Sequence, residues 1–446
     1  MAAITLKQAA LWCGGTVEPE YENVEFFGAN NDTRIIKPGQ LFIVLQGARD
    51  GHDFIPMAMD KGAAAVLCSR KVGDYPAIYV EDPRIALGQI AHAHLKAIGC
   101  KTVGITGSVG KSTTKEMVSS VLGSTYRVSK TPANHNNDIG MPMAVLSMPE
   151  DTEVAVLEMG MNHFREIAYL SGIANPDVGV IINIGSMHIE QLGSHEGIRD
   201  AKMEIVEGMA ADAPLILNGD SKLLRDLPQL PVQPITYFGS DNTCAVWASD
   251  VCQKEEGLCF TVHTKEETFP VTLPLEGLHF VPDAVAAIAV GRTLGVTTEN
   301  IQRSLASFQN MAGRQEIIRT QGYTIIKDCY NAGPESMAAA LKVLGNRPGR
   351  RIAALGEMLD QGDTSREAHR TVGALAAQNA ELLFFYGPHA SDVLEGAKSG
   401  GMEAWGFDDR EEMAQAMKRH AKSGDTILFK ASNGMHLELV LEAFLK

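Results

Sequence analysis

Lys111 and Ser112 close the run Thr106-Gly107-Ser108-Val109-Gly110-Lys111-Ser112-Thr113, whose side chains suit the binding of phosphate. Glycines at 107 and 110 let backbone amides turn toward phosphate oxygens. A lysine ammonium neutralises charge on the β- and γ-phosphates, and a serine hydroxyl is a ligand for Mg²⁺. The spacing is TG-x-x-GK[ST], shorter than GxxxxGK[ST], because Ile105 stands where the longer pattern has its first glycine. An ordinary strand-turn-helix corner is the competing reading. Against it stand the apolar run Val103-Gly104-Ile105 ahead of the glycines and the amphipathic stretch 115–122 after them. The expectation is a nucleoside triphosphate cradle at a helix N-terminus.

Further residues suited to chemistry follow. Val154–Glu158 reads as a buried strand ending in a carboxylate, and the carboxyl end of a parallel strand beside a phosphate loop is a place for a Mg²⁺ ligand. A second apolar run, 178–184, leads to Gly185-Ser186-Met187-His188; His188 is either a metal ligand or a satisfied loop histidine. In a helix expected over 196–209, Ile198, Ala201, Ile205 and Met209 form one apolar stripe, and Lys202 lies on its margin, directed inward. The ordinary reading of such a lysine is a stem on the core with its ammonium snorkelling to water. Asn134, Asn136 and Asn137 crowd a loop that either binds a substrate or caps the helix after it. Near the N-terminus Thr33 and Arg34 either fork onto a diphosphate or form a turn salt bridge with Asp32. Asp50-Gly51-His52 marks another turn, and Asp328-Cys329-Tyr330-Asn331 lies at a strand end suited to ligand contact.

The elements that must hold these residues divide into three modules. At 446 residues the chain is too long for one ordinary core, and length alone suggests about three domains. Residues 1–98 read as a smaller mixed α/β module. Its helix is expected to run through Ala58 to Ala63-Ala64-Ala65. Residues 99–312 alternate strands and helices as a doubly wound parallel sheet does, with a small β insert where short alternating runs occupy 221–275. Residues 313–446 form a third, Rossmann-like α/β module with strands near 352–355, 382–386 and 426–430.

The formal charge of −15 argues against a nucleic-acid coat, so an anionic nucleotide has to be met by local cations and metal. No apolar run approaches the ~18 residues of a membrane span, and Lys7 and Gln8 interrupt the apolar start, so neither anchor nor signal peptide is expected. Seven cysteines without C-x-x-C pairs read as reduced and structural. A cytoplasmic protein is expected.

Taken together these motifs resemble the Mur ligases of peptidoglycan synthesis, over essentially the whole chain. Within that family they are most similar to the MurF type, which joins D-alanyl-D-alanine to UDP-N-acetylmuramoyl-tripeptide with ATP. The resemblance is carried by Asp32-Thr33-Arg34, Asp50-Gly51-His52, the cradle 106–114, the loop 134–140, Glu158-Met159-Gly160, His188-Ile189-Glu190, Ala201-Lys202-Met203-Glu204-Ile205, Gly313-Arg314 and Tyr330-Asn331-Ala332-Gly333-Pro334. It implies that Thr106, Gly107, Ser108, Val109, Gly110, Lys111, Ser112 and Thr113 bind ATP, and that Asp283, Arg314, Asp328, Tyr330 and Asn331 meet it from other elements. It further implies Mg²⁺ held by Ser112, Glu158 and His188, a carbamylated Lys202 among the metal ligands, and Lys111 as a catalytic cation. Thr33, Arg34, Asp50, Gly51, His52, Asn134, Asn136 and Asn137 fall on the substrate side, and a monomer is implied. The family's G-x-H-N-x-x-N reads Gly277-Leu278-His279-Phe280-Val281-Pro282-Asp283 here, so Asp283 stands where the family has an amide. Folylpolyglutamate synthase shares the cradle and the lysine-bearing helix but lacks a front module of this length. The same motifs would also suit a different Mur-type amino-acid ligase or a non-catalytic nucleotide-binding homologue.

Overall fold

The strand Lys101–Thr106 is the pivot of a nine-stranded sheet, flanked on one side by Val154–Glu158 and on the other by Val178–Ile181, parallel to both. Neighbouring strands therefore leave it in opposite directions, which opens a crevice at its carboxyl end, the usual ligand position in a doubly wound sheet. In this computed structural model residues 3–446 are described, except Ala48, Val72, Gln321 and Ser399.

The strands around the pivot are apolar and buried along their whole length, as a parallel sheet covered on both faces requires. The sheet continues through Leu215–Asn218 and Ile235–Gly239 to Val246–Lys254 in parallel, then through Gly257–His263 and Thr268–Leu273 in antiparallel register. The alternating runs at 221–275 are thus an extension of the central sheet. Their alternation has a simple cause: Thr268–Leu273 buries every second side chain and leaves the others exposed.

The N-terminal module is a four-stranded parallel sheet in the order Ala29–Asn30, Leu41–Ile43, Ala65–Cys68, Ala77–Tyr79, beside a short antiparallel pair, Ile4–Thr5 with Glu25–Phe26. The alanine run does not continue the helix. Ile55–Asp60 is the helix, Gly62 turns the chain at φ 90°, and Ala65–Cys68 is a fully buried strand. A short apolar run serves a buried strand as well as a buried helix, and periodicity does not separate the two. The module ends on the helix Pro83–Ile98, which Asp82 caps through the amides of Arg84 and Ile85.

The C-terminal module is a six-stranded sheet in the order Glu316–Arg319, Thr324–Asp328, Thr426–Lys430, Arg351–Gly356, Leu382–Tyr386, Glu403–Phe407. Only the first pair is antiparallel. All three modules are therefore α/β with predominantly parallel sheets.

The helix expected over 196–209 is shorter. His195–Met203 is α-helical and Glu204–Gly208 tightens into a 3₁₀ turn. The Glu204 carboxylate accepts bonds from the amides of Arg165 (2.8 Å) and Ala168 (3.2 Å), capping the neighbouring helix Glu166–Ala174. That inward reach breaks the helical run.

Candidate active site

The cradle forms where the sequence places it. After the buried strand Lys101–Thr106 the chain turns through 107–110 and enters the helix Lys111–Gly123. Gly110 sits at φ 85°, where a side chain is strained, and a Cβ there would lie 2.7 Å from Oδ1 of Asp283. The first-turn amides of this helix have no partner within it and face anions by construction. Lys111 folds back over the loop, Nζ donating to the carbonyls of Gly107 (2.7 Å) and Ser108 (3.2 Å), and burial lowers its pKa. The front of the loop is braced by a residue the motif does not contain. Asn183 accepts from the amides of Ser108 (3.0 Å) and Val109 (2.9 Å) through Oδ1 and donates to the Val109 carbonyl through Nδ2 (2.8 Å).

The strand Val154–Glu158 delivers its terminal carboxylate beneath the cradle. Glu158 is 2% exposed. Its Oε2 accepts from the Ser112 hydroxyl at 2.9 Å, and its Oε1 accepts from Nδ2 of Asn136, also at 2.9 Å. Ser112 is reached in turn from the C-terminal module, since Nη2 of Arg314 donates to its Oγ at 3.1 Å. The Arg314 guanidinium lies 3.8 Å over the ring of Tyr330, which holds it flat and aimed. Farther along the same edge Lys430 donates to Asp328 (2.7 Å) and to the Asn331 carbonyl (2.9 Å). Oε1 of Glu335 accepts from the amide (2.9 Å) and hydroxyl (2.8 Å) of Ser186. These bonds bring the central and C-terminal modules together around a cavity of about 630 Å³, lined by the cradle, Glu158, His188, Arg314, Tyr330 and Asn331 among others.

His188 lines that cavity at φ 64°. Burial, and then the nearby charges of Lys111 and Lys202, push its imidazole down to about 4, so it is neutral at physiological pH with a nitrogen lone pair free. Lys202 is 1% exposed and does not snorkel. Burial, then Lys111, lowers its pKa well below the usual lysine value, and among the described residues no hydrogen bond or ion pair reaches its side chain. Burial in this setting disfavours the charged form of the amine.

Asp283 is buried at the start of the helix Phe280–Thr293, lining the cavity with His279 and Phe280. Burial raises its carboxyl to about 8, opposed in part by the Thr114 hydroxyl, which donates to Oδ1 at 3.0 Å.

The residues read as substrate-binding are only partly gathered. Asn136 and Asn137 line the cavity; Thr33, Arg34, Asp50, Gly51, His52 and Asn134 do not. Arg34 pairs with Asp32 at 2.7 Å and is 86% exposed, so the turn salt bridge exists. Asp50 accepts from the amide (3.0 Å) and Nδ1 (2.6 Å) of His52 and from Nη2 of Arg70 (2.7 Å). The link from this module to the cavity runs through Arg84, whose guanidinium bonds Asp138 in the asparagine loop. Asn183 and Glu335 line the cavity without belonging to any of the motifs, and Lys115 lies behind Glu158, 3.4 Å from its Oε2. A signal exists for Lys115: it follows Lys111 by four positions, on the same helix face.

Among the described residues one cluster of metal-type side chains lies outside the cavity: Glu357, His369 and His389. The imidazole planes are stacked, 10° apart, which points their nitrogen lone pairs along parallel planes. His369 already donates Nδ1–H to the Ser365 carbonyl (2.7 Å) and accepts the Met358 amide at Nε2 (3.1 Å). Glu357 Oε1 lies 2.5 Å from Nδ1 of His389 and 3.2 Å from Nε2 of His369, so the cluster is paired within itself.

Comparison with known proteins matches residues 105–291 to the Mur ligase middle domain and residues 313–433 to the Mur ligase glutamate ligase domain. The chain is 42% identical to the UDP-N-acetylmuramoyl-tripeptide–D-alanyl-D-alanine ligase of Bacillus subtilis, covering 98% of this chain and 97% of that one. With the enzyme of the same name from Escherichia coli K12 the identity is 33%, over 99% and 98%. Among solved structures, a MurF crystal structure from Acinetobacter baumannii superposes with a TM-score of 0.91 at 29% identity, covering 100% of this chain and 99% of that one. MurF ligase from Thermotoga maritima in complex with ADP superposes with 0.83 at 31%, over 94% and 97%.

Proposed function

The chain belongs to the Mur ligase family, and from that membership we propose that it is the ATP-dependent ligase that adds D-alanyl-D-alanine to UDP-N-acetylmuramoyl-tripeptide. A carboxylate does not condense with an amine at neutral pH. The tripeptide's terminal carboxylate first takes the γ-phosphoryl group of ATP, releasing ADP and forming an acyl phosphate; the dipeptide amine then attacks that carbonyl, loses a proton and expels phosphate. The work required of the protein is positioning and charge stabilisation.

In this reading residues 1–98 take the UDP end through Thr33, Arg34, Asp50, Gly51 and His52, and Asn134, Asn136 and Asn137 face the peptide. Residues 99–312 hold the triphosphate, with Lys111 swinging from the Gly107 and Ser108 carbonyls onto phosphate oxygens. Residues 313–446 bring Arg314, Asp328, Tyr330 and Asn331 over the nucleotide, and Asp283 lies beside the cradle. The observation that carries the reading is the reach of Arg314 to Ser112 at 3.1 Å, which joins the two modules at the hydroxyl that closes the phosphate loop.

Ser112 Oγ and the Glu158 carboxylate, 2.9 Å apart, are hard oxygen donors suited to Mg²⁺. With His188 they would hold it, and its contribution is to neutralise charge on the transferring phosphoryl group. Lys202 would join this set as a carbamate: burial disfavours its charged form, the neutral amine is the form that adds carbon dioxide with loss of a proton, and the product is an anion. A monomer working in the cytoplasm is part of the same reading, in line with seven cysteines that all stand free. The test is coupled phosphate release with purified protein. Turnover is expected only with ATP, UDP-N-acetylmuramoyl-tripeptide and D-alanyl-D-alanine together; equal turnover with the dipeptide omitted contradicts it.

A further inference from the structure

Lys115 follows Lys111 by one helical turn in Lys111–Gly123, and its side chain is 0% exposed. Its Nζ has no hydrogen-bond partner. An ammonium carries three donors and no acceptor, so a buried one without bonds is held by charge alone. Two carboxylates supply that charge: Oε2 of Glu158 at 3.4 Å and Oε1 of Glu116 at 3.6 Å. Glu116 is already paired with Lys130 on its outer side, which leaves Glu158 as the carboxylate that Lys115 serves within the site.

The oxygen atoms proposed to hold a divalent cation are therefore already engaged. Glu158 Oε1 takes Asn136, and Glu158 Oε2 takes both the Ser112 hydroxyl and the Lys115 charge. Ser112 Oγ also accepts from Arg314. Three basic side chains, Lys111, Lys115 and Arg314, surround one carboxylate. A dication placed there without further negative charge meets repulsion at short range in a site of low dielectric. The triphosphate supplies the missing negative charge.

We infer that Lys115 is a positioning residue that pins Glu158 under the phosphate loop and makes binding of the divalent cation conditional on the nucleotide. The inference rests on the proposed metal placement at Ser112 and Glu158. In the free enzyme Lys115 already neutralises Glu158 from its buried side, Nζ lying 3.4 Å from Oε2. Bound triphosphate would offset the surrounding positive charge and so admit the divalent cation near Glu158, while Lys115 stays in place as the fixed counter-charge that orients the carboxylate.

The test measures Mn²⁺ binding to the full-length protein from the electron paramagnetic resonance signal of free Mn²⁺, with and without a non-hydrolysable ATP analogue, each taken relative to the same Mn²⁺ and analogue without protein, since the analogue alone chelates Mn²⁺. Wild type should bind Mn²⁺ with the analogue and at least ~10-fold more weakly without it. Lys115→Met and Lys115→Gln should both gain Mn²⁺ affinity in the absence of nucleotide, by roughly tenfold or more. The gain should vanish in the double variant Lys115→Met, Glu158→Gln. The paired variants guard against one of them misfolding, and the wild-type comparison is informative whatever the variants do. Equal Mn²⁺ affinity in wild type with and without analogue overturns the inference, as do folded Lys115 variants that bind no better than wild type without nucleotide. Wild type that fails to bind Mn²⁺ even with the analogue overturns the metal placement itself, and this inference with it.

Discussion

Arg314 and Ser112, 202 positions apart in the chain, meet at 3.1 Å between Nη2 and Oγ, and the arginine is held there by its stack on Tyr330 at 3.8 Å. A residue from the C-terminal module thus touches the hydroxyl at the foot of the phosphate loop. This contact ties the C-terminal module directly to the phosphate loop.

Arg314→Lys should therefore be far from conservative. A lysine keeps the charge but loses the planar fork and the stack. Phosphate release is expected to fall about 100-fold, the scale of losing one charge-stabilising donor, with thermal unfolding within a few degrees of wild type. Turnover within about twofold of wild type, the scale of ordinary surface substitutions, contradicts the role.

Asp283 predicts a pH dependence of stability. Its carboxyl titrates at about 8 in the fold against an ordinary 3.8. Between these values the unfolded chain has released the proton while the folded protein still holds it. Rising pH therefore favours unfolding across this window, and the effect levels off above about 8. Asp283→Asn removes the titration, so its melting temperature should exceed that of wild type by a margin that widens from pH 5 to pH 8. A constant margin over that range contradicts the assignment.

Glu335 and Ser186 form another bridge between the central and C-terminal modules, with two bonds to one carboxylate oxygen. Glu335→Ala should loosen closure in the ligand-free protein, read as a larger radius of gyration by small-angle scattering. Addition of ATP analogue and tripeptide should bring the variant back toward wild-type dimensions. Identical scattering of variant and wild type without ligands contradicts a role in closure.

Lys202 predicts a chemical modification. Carbon-13 NMR with labelled bicarbonate should show a carbamate signal in wild type that is absent in Lys202→Ala. The variant should lose most activity, and acetate or formate should restore part of it by supplying a carboxylate to the vacated space. Full activity in the folded variant, or no signal from wild type at saturating bicarbonate, would falsify the carbamate.

The site is legible in the sequence where its parts are contiguous. A strand, two glycines, a lysine and a serine follow one another at 101–112, and each reads by itself. Glu158 is legible because a buried strand ends on it. Asn183 is not, since nothing near it in the chain shows that its amide will brace the amides of Ser108 and Val109, 75 and 74 residues earlier. The 3₁₀ turn at Glu204–Gly208 escapes periodicity for the same reason: Glu204 is drawn in by amides of a different helix. The strand Ala65–Cys68 escapes because four apolar residues carry no period. The alternating runs at 221–275 are legible as strands, but only pairing shows that they extend the central sheet.

The proposed chemistry requires that the peptide carboxylate be activated by phosphoryl transfer before the dipeptide attacks it. Tripeptide substrate carrying oxygen-18 in its terminal carboxylate, incubated with ATP and D-alanyl-D-alanine, tests this directly by mass spectrometry of the released phosphate. One labelled oxygen is predicted in each phosphate, and one in the new amide carbonyl. Phosphate released without label while the amide product forms would contradict the acyl-phosphate route.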